Sequence, residues 1–243
     1  MFIKSPWLIV AAVFVCISGV YAQSITPDSA FYTHAAGRAI DLFNTTIADQ
    51  SEIYNGAVYE FTPKGPKGSV YLEDKNFCTP SLIRYNGTVY KNIPVMYDVF
   101  NDEMVAFSPS SVYFILRKEK LTDVYLAAHH FVYMDAANGA DINPGYYDVL
   151  YDGKTTVLVK LIKTPHKSVT ENAVEVSYSD ESEIYIKKSG KFIRVDSKGD
   201  VINTFADRKK ELKQYLSSNK IKFNKDKEES VARLARYYDR ITN

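Results

Sequence analysis

The hydrophobic pattern of this 243-residue chain changes period along its length. Residues 7–18 form an unbroken apolar stretch. Over 28–50, Phe31, Ala35, Ala39, Leu42, Phe43 and Ile47 recur near helical spacing, after a plausible start at Thr26-Pro27-Asp28. Short strand signals separated by turns then fill 57–195. Asn86-Gly87 between 82–85 and 88–91 is a strong hairpin signal, because a type I′ turn needs positive φ at both central positions. Asn101-Asp102, Asp152-Gly153 and Ser189-Gly190 mark further turns. Strands are expected at 95–100, 104–107, 112–117, 124–128, 131–134, 145–151, 155–162, 173–178, 184–187 and 192–195. After Val195 the helical period returns. Val201, Ile202, Phe205, Leu212, Tyr215 and Leu216 carry it to Ser217-Ser218-Asn219. Asp226 can then cap a last helix with an apolar stripe of Val231, Leu234, Ala235 and Tyr238.

Closely spaced strands with short turns predict α+β: a mainly antiparallel sheet with an N-terminal helix and C-terminal helices. A meander, a sandwich and a partly open barrel all fit. No repeat or Ser/Gly linker divides the chain, so residues 23–243 read as one domain. Within it, 23–50 is the helix, 51–196 the β-rich core and 197–243 a basic helical tail.

Residues 1–22 read as a signal peptide. Lys4 supplies a positive start. The apolar run is about a dozen residues, short of the roughly 20 that a span needs. Val20-Tyr21-Ala22 places acceptable residues before a cut that would leave Gln23 first. No other run is long enough to span, so no transmembrane segment is expected in the mature chain. Cys16 follows Phe14-Val15 rather than a small residue, which argues against lipidation. Cys78 is then the lone cysteine, and stability must come from the core rather than a disulfide. That suits a bacterial periplasm or an outer-membrane association.

Hydrophobic content of 46% and charge of 24% are those of a globular protein. The 19 tyrosines and 13 phenylalanines suit half-buried pleated surfaces. Net charge is +1, but it is unevenly placed: residues 187–243 hold 16 Lys/Arg and 8 Asp/Glu, whereas 5–186 hold 13 and 21. Attraction between the two parts is the simpler reading, and a basic tail meeting an anionic surface the other.

The search for chemistry ends without a catalytic, cofactor-binding or metal-ligating assignment. No G-x-S-x-G elbow occurs. Adjacent His129 and His130 point to opposite faces of a strand and cannot share one metal, and His34 and His166 form no metal motif. Asp135, Asn138, Asp141 and Asn143 have oxygen ligands but not EF-hand spacing. Asp98 with Asp102, and Asp148 with Asp152, flank turns, where aspartates usually bond their own backbone. Gly65 to Gly68 lacks the setting of a phosphate loop. The run Arg208-Lys209-Lys210 is bounded by Asp207 and Glu211, as on a solvated helix face, and nucleic-acid binding is not expected.

Tyr54-Asn55-Gly56 with Tyr59, Tyr97-Asp98 with Asp102, Gly145-Tyr146-Tyr147 with Leu150, Tyr151 and Gly153, Ser197-Lys198, Phe205, Leu212 and Tyr237-Tyr238 carry a resemblance. Across nearly all of the mature chain, the sequence resembles a group of exported, uncharacterised Bacteroidota proteins with no established activity. The resemblance implies a compartment and a lineage, and no site residue. The expectation is a non-enzymatic exported binding or structural module of the cell envelope. Its partner would be another envelope protein. The alternatives are a carrier holding an apolar ligand in an aromatic-lined cavity, and a hydrolase with a scattered site.

Overall fold

The computed structural model describes residues 37–38, 51–62, 67–135, 141–169 and 174–242. The expected signal peptide lies outside these residues. So does the expected N-terminal helix, apart from Gly37 and Arg38, which are helical.

Ten strands make one antiparallel sheet. They are β1 (Thr79–Tyr85), β2 (Thr88–Asp98), β3 (Glu103–Phe107), β4 (Tyr113–Ile115), β5 (Leu121–Leu126), β6 (His129–Met134), β7 (Gly145–Asp152), β8 (Thr156–Val169), β9 (Val174–Lys188) and β10 (Lys191–Val195). Helices α1 (Lys198–Thr204), α2 (Lys209–Ser218) and α3 (Lys227–Ile241) follow. Strand order is β10-β9-β8-β7-β6-β5-β1-β2-β3-β4, so the sheet is open, with β4 and β10 at its edges. This is the mainly antiparallel β fold with C-terminal helices that the pattern predicts. It is a single sheet rather than a two-sheet sandwich.

Two turns have the conformation their sequences call for. Asn86 and Gly87 have φ of 48° and 76°, and Ser189 and Gly190 have 51° and 81°. All four are left-handed, as a type I′ hairpin requires. β2 and β9 each join two strands that the pattern keeps apart, and β8 runs past its expected end at 162 to Val169. Pro94 interrupts the signal of β2, yet it pairs with Pro80 beside an irregular step at Ser81 and Ile83, where lost donors are tolerated. The polar run from Ser179 to Glu183 hides the continuity of β9. There β8 and β9 form a ribbon that extends past their other neighbours, so no alternation marks a buried face.

The sheet curls because of its topology. β4 lies beside β3, yet the next strand, β5, pairs with β1. Residues 116–120 make this return. Fully extended, six residue steps reach about 20 Å. Four strand spacings in a flat sheet come to about 19 Å, and residues Lys118–Lys120 form a 3-10 turn that shortens the reach. The first four strands must therefore bend toward the rest. Backbone bonds fix the return at both ends, Leu116 N to Met104 O and Asn86 N to Lys120 O, each 2.7 Å. Lys120 also pairs with Glu52.

Register then places one row of side chains across eight strands: Tyr90, Ile83, Val124, Phe131, Asp148, Val159, Ile184 and Val195. All eight are buried on the inner face. Around the curled half, Tyr85, Tyr97, Met104, Leu116 and Tyr146 complete one core. Around β8 to β10, the helices complete a second, through Val201, Phe205, Leu212, Leu216, Val231, Leu234, Ala235 and Tyr238. Leu161 packs against both. Asp226 caps α3 by accepting from Glu229 N, as its position predicts.

Gly56 shows how tightly the chain before the sheet is laid against β4. A Cβ there would lie 1.7 Å from the Ile115 carbonyl oxygen, a backbone atom that cannot swing away. At Gly87 an added Cβ meets nothing within 4 Å, and only its φ of 76° opposes a side chain. Gly56→Ala is therefore expected to cost about 1–3 kcal/mol or more by overpacking. Gly87→Ala should cost only about 1–2 kcal/mol of backbone strain. Urea unfolding of the two variants checks the order.

Candidate functional site

The paired aspartates serve the fold. Asp98 is fully buried. It accepts from Tyr59 OH at 2.6 Å and from Asn101 N and Nδ2, both at 2.9 Å. Burial, with this bond to Asp98, drives the Tyr59 hydroxyl well above its usual pKa. Asp102 accepts from Tyr97 OH at 2.6 Å and faces Lys160 Nζ at 2.7 Å. Lys160 meets Asp102 at ion-pair distance but without hydrogen-bonding angles, and burial lowers its pKa against the opposing pull of Asp102. Asp148 and Asp152 separate along β7. The first holds His129, and the second accepts from Thr156 Oγ1 at 3.2 Å.

The remaining candidates are also placed. Burial raises the Cys78 thiol to about 11, which makes it a poor nucleophile. His166 bonds Ser179 Oγ at 2.7 Å. His129 and His130 do face opposite ways, and His130 pairs with Asp123 at 2.8 Å and stacks on Tyr125. His34, and the centre of the loop that holds Asn138, lie outside the described residues. Among the described residues, no group of three or more His, Cys, Asp or Glu side chains is placed to hold a metal ion.

One cluster of titratable groups does gather at the rim of the curled sheet. Glu73 and Asp74 are consecutive left-handed residues, with φ of 51° and 57°. Such a turn is strained for non-glycine residues and needs outside support. His129 supplies part of it: Nδ1 lies 2.5 Å from Asp148 and Nε2 lies 3.7 Å from Glu73. Lys163, whose side chain is 1% exposed, bridges Asp74 at 2.8 Å and Asp180 at 2.6 Å, and Ser69 donates to Asp74 from N at 2.8 Å and Oγ at 3.1 Å. Burial alone would lower the pKa of Lys163, but Asp180 and Asp74 outweigh it and hold the pKa above its usual value.

The bond to Asp148 raises the His129 pKa, with burial opposing. A raised histidine stabilises the fold fully below its unfolded pKa of about 6.5. That contribution is lost as pH rises through the higher folded value. Stability should therefore fall as pH climbs from about 6.5 into the alkaline range, and His129→Gln should flatten this part of the profile. Urea titrations across that range check the sign; a wild-type stability that rises there would overturn the assignment.

A second surface cluster lies on α3. Its apolar stripe is spent on the core, which turns Arg233, Arg236 and Arg240 to one row beside it, at i, i+3 and i+7. Tyr151, at the end of β7, and Tyr215 and Tyr237 line the same groove, together with Glu229 and Asp239. Asp239 is occupied: it is buried, and it accepts from Tyr151 OH at 3.0 Å, Thr155 N at 2.9 Å and Thr155 Oγ1 at 3.0 Å. Gly153 permits this closeness, since a Cβ there would sit 2.6 Å from Asp239 Oδ2.

Two of the three guanidinium groups lie over rings rather than beside carboxylates. Arg236 lies over Tyr151 at 5.3 Å and Arg240 over Tyr237 at 5.0 Å. Tyr237 stacks on Tyr215, with centroids 4.1 Å apart. None of the three arginines joins a salt bridge among the described residues. The expected attraction between the basic and acidic parts finds little expression in ion pairs. Among the described residues, Arg194–Glu183, at 2.6 Å, is the one salt bridge that joins them. The basic excess faces solvent. The sequence reading followed the apolar stripe of this helix and passed over the arginines; their i, i+3, i+7 spacing is the signal that marks them.

Comparison with known protein families, curated proteins and solved structures finds no match for this chain. Among the described residues, no helix is long and apolar enough to cross a membrane.

Proposed function

We propose that this protein is an exported, non-enzymatic binding module of a bacterial cell envelope, and that it binds through the α3 groove. The observation that carries the reading is the row Arg233, Arg236 and Arg240, the last two over tyrosine rings and none of the three in a salt bridge among the described residues. Guanidinium groups pre-oriented in this way keep their donors for an external anion. The compartment rests on the N-terminal sequence pattern and on the resemblance to exported Bacteroidota proteins.

Two observations favour surface binding over the alternatives. The inner face is filled by Tyr85, Tyr97, Phe131 and Tyr146, each buried, which leaves a carrier's apolar ligand little room there. At the rim, His129 sits between two carboxylates that favour its cation. Both of its nitrogens face carboxylates, at 2.5 and 3.7 Å, so neither is turned toward a substrate or a nucleophile, and this arrangement supports a structural tie better than a hydrolase site.

The reading is tested by exporting the chain, with its own leader, in a bacterium with two membranes. The wild type should co-sediment with the envelope fraction, and raised salt should release it. Arg233→Glu with Arg236→Glu and Arg240→Glu should move it to the soluble fraction with its thermal midpoint little changed. Equal sedimentation of both would overturn the proposal.

A further inference from the structure

Given the binding role proposed above, we infer that the α3 groove takes a linear glycan that carries carboxylates on its sugar rings. The shape of the site argues for a chain. Along an α-helix, the rise from Arg233 to Arg236 is about 4.5 Å and from Arg236 to Arg240 about 6 Å. The cations thus form a line about 10 Å long, flanked by Tyr151 and by the Tyr215–Tyr237 pair. A flat lipid surface fits less well. The apolar face of α3 is already buried through Val231, Leu234, Ala235 and Tyr238, so no amphipathic surface remains to insert.

The aromatic groups separate a glycan from a single-stranded nucleic acid. Base recognition of that kind needs open ring faces. Tyr237 has Tyr215 on one face and Arg240 over the ring; Tyr151 carries Arg236 and spends its hydroxyl on Asp239. The hydroxyls of Tyr215 and Tyr237, by contrast, make no hydrogen bond among the described residues. Each is both donor and acceptor, as a sugar hydroxyl requires. The planar guanidinium forks match ring carboxylates in two-point contact. Glu229 lies one turn before Arg233 and lines the same groove. It repels an anion at that end and can accept from neutral sugar hydroxyls, so the charged stretch of the ligand belongs over Arg233 to Arg240.

Calorimetric titration of the purified mature chain tests the inference. The probes are tetragalacturonate, galacturonate monomer, a neutral malto-oligosaccharide of equal length, oligo-dT and vesicles containing anionic phospholipid. Tetragalacturonate should bind, more tightly than the monomer, and the neutral oligosaccharide should not. Arg233→Gln with Arg240→Gln should weaken binding at least about tenfold without lowering the thermal midpoint. Arg233→Lys with Arg240→Lys keeps the charge but loses the fork, and should not restore it. Three results would overturn the inference: no tetragalacturonate binding, binding that the Gln variant retains, or oligo-dT or vesicles bound through these arginines in preference to the glycan. If envelope sedimentation depends on the arginines while tetragalacturonate fails to bind, the ligand class is wrong and the binding role stands. If neither result appears, both fall.

Discussion

The return of β5 to β1 governs this fold. A sheet of four antiparallel strands normally grows at its last edge. Here the chain goes back across the first three strands with only residues 116–120 to do it. That length cannot span a flat sheet once part of it is wound into a 3-10 turn. Curling is therefore a consequence of connectivity, and the inner core is a consequence of curling. The row from Tyr90 to Val195 shares one face because register is continuous across eight strands, and the bend of the first four wraps that face around itself. The opposite face carries smaller groups, with Met96 and Val105 under Tyr59 and Tyr71 at one end, and Tyr147, Leu158 and Tyr185 at the other.

Asp148 is the exception within that row. A carboxylate flanked by Phe131 and Val159 must be answered locally, since an unpaired buried charge is costly. His129 and the backbone N–H of His130 answer it. The arrangement turns a potential defect into a fixing point, because the other nitrogen of His129 reaches the strained turn at Glu73. Asp98 shows the same economy on the same rim, where it bridges to Tyr71 just before that turn. It is fully buried and made tolerable by Tyr59 and Asn101, so the turn that follows β2 is held against the chain before β1. The many tyrosines suit this design. Their rings fill the curl, and the hydroxyls of Tyr59 and Tyr97 reach Asp98 and Asp102.

The sequence made legible those features that depend on neighbours. Asn86-Gly87 and Ser189-Gly190 fix hairpins through local backbone conformation, and Asp226 caps α3 through one side chain. The stripe of Val231, Leu234, Ala235 and Tyr238 is buried as its spacing predicts. What escaped depends on distance. Nothing near residues 116–120 says that β5 will skip β2 to β4, since that is decided by which exposed edge buries more apolar surface. Nor does periodicity reveal β9 as one strand, because its ribbon has two wet faces. The acidic pairs could be named but not interpreted. Whether an aspartate is buried beneath a tyrosine or free in a cleft is settled by residues such as Tyr59, 39 positions away from Asp98.

Charge follows the same division. An excess of Lys and Arg after residue 187 can be counted, but a count does not say which way the cations point. Packing decides that. Once α3 commits its apolar stripe to the sheet, helical geometry leaves Arg233, Arg236 and Arg240 together on the neighbouring strip. Among the described residues, the acid buried nearby is Asp239, and it faces the turn at Thr155 rather than the arginines. Stability alone would favour placing a carboxylate one turn from each arginine, and α3 has Glu229 in that relation to Arg233 without forming a salt bridge. A row of guanidinium groups without salt bridges therefore contributes little to holding the domain together. That leaves its donors available for the anion that the proposed binding role requires.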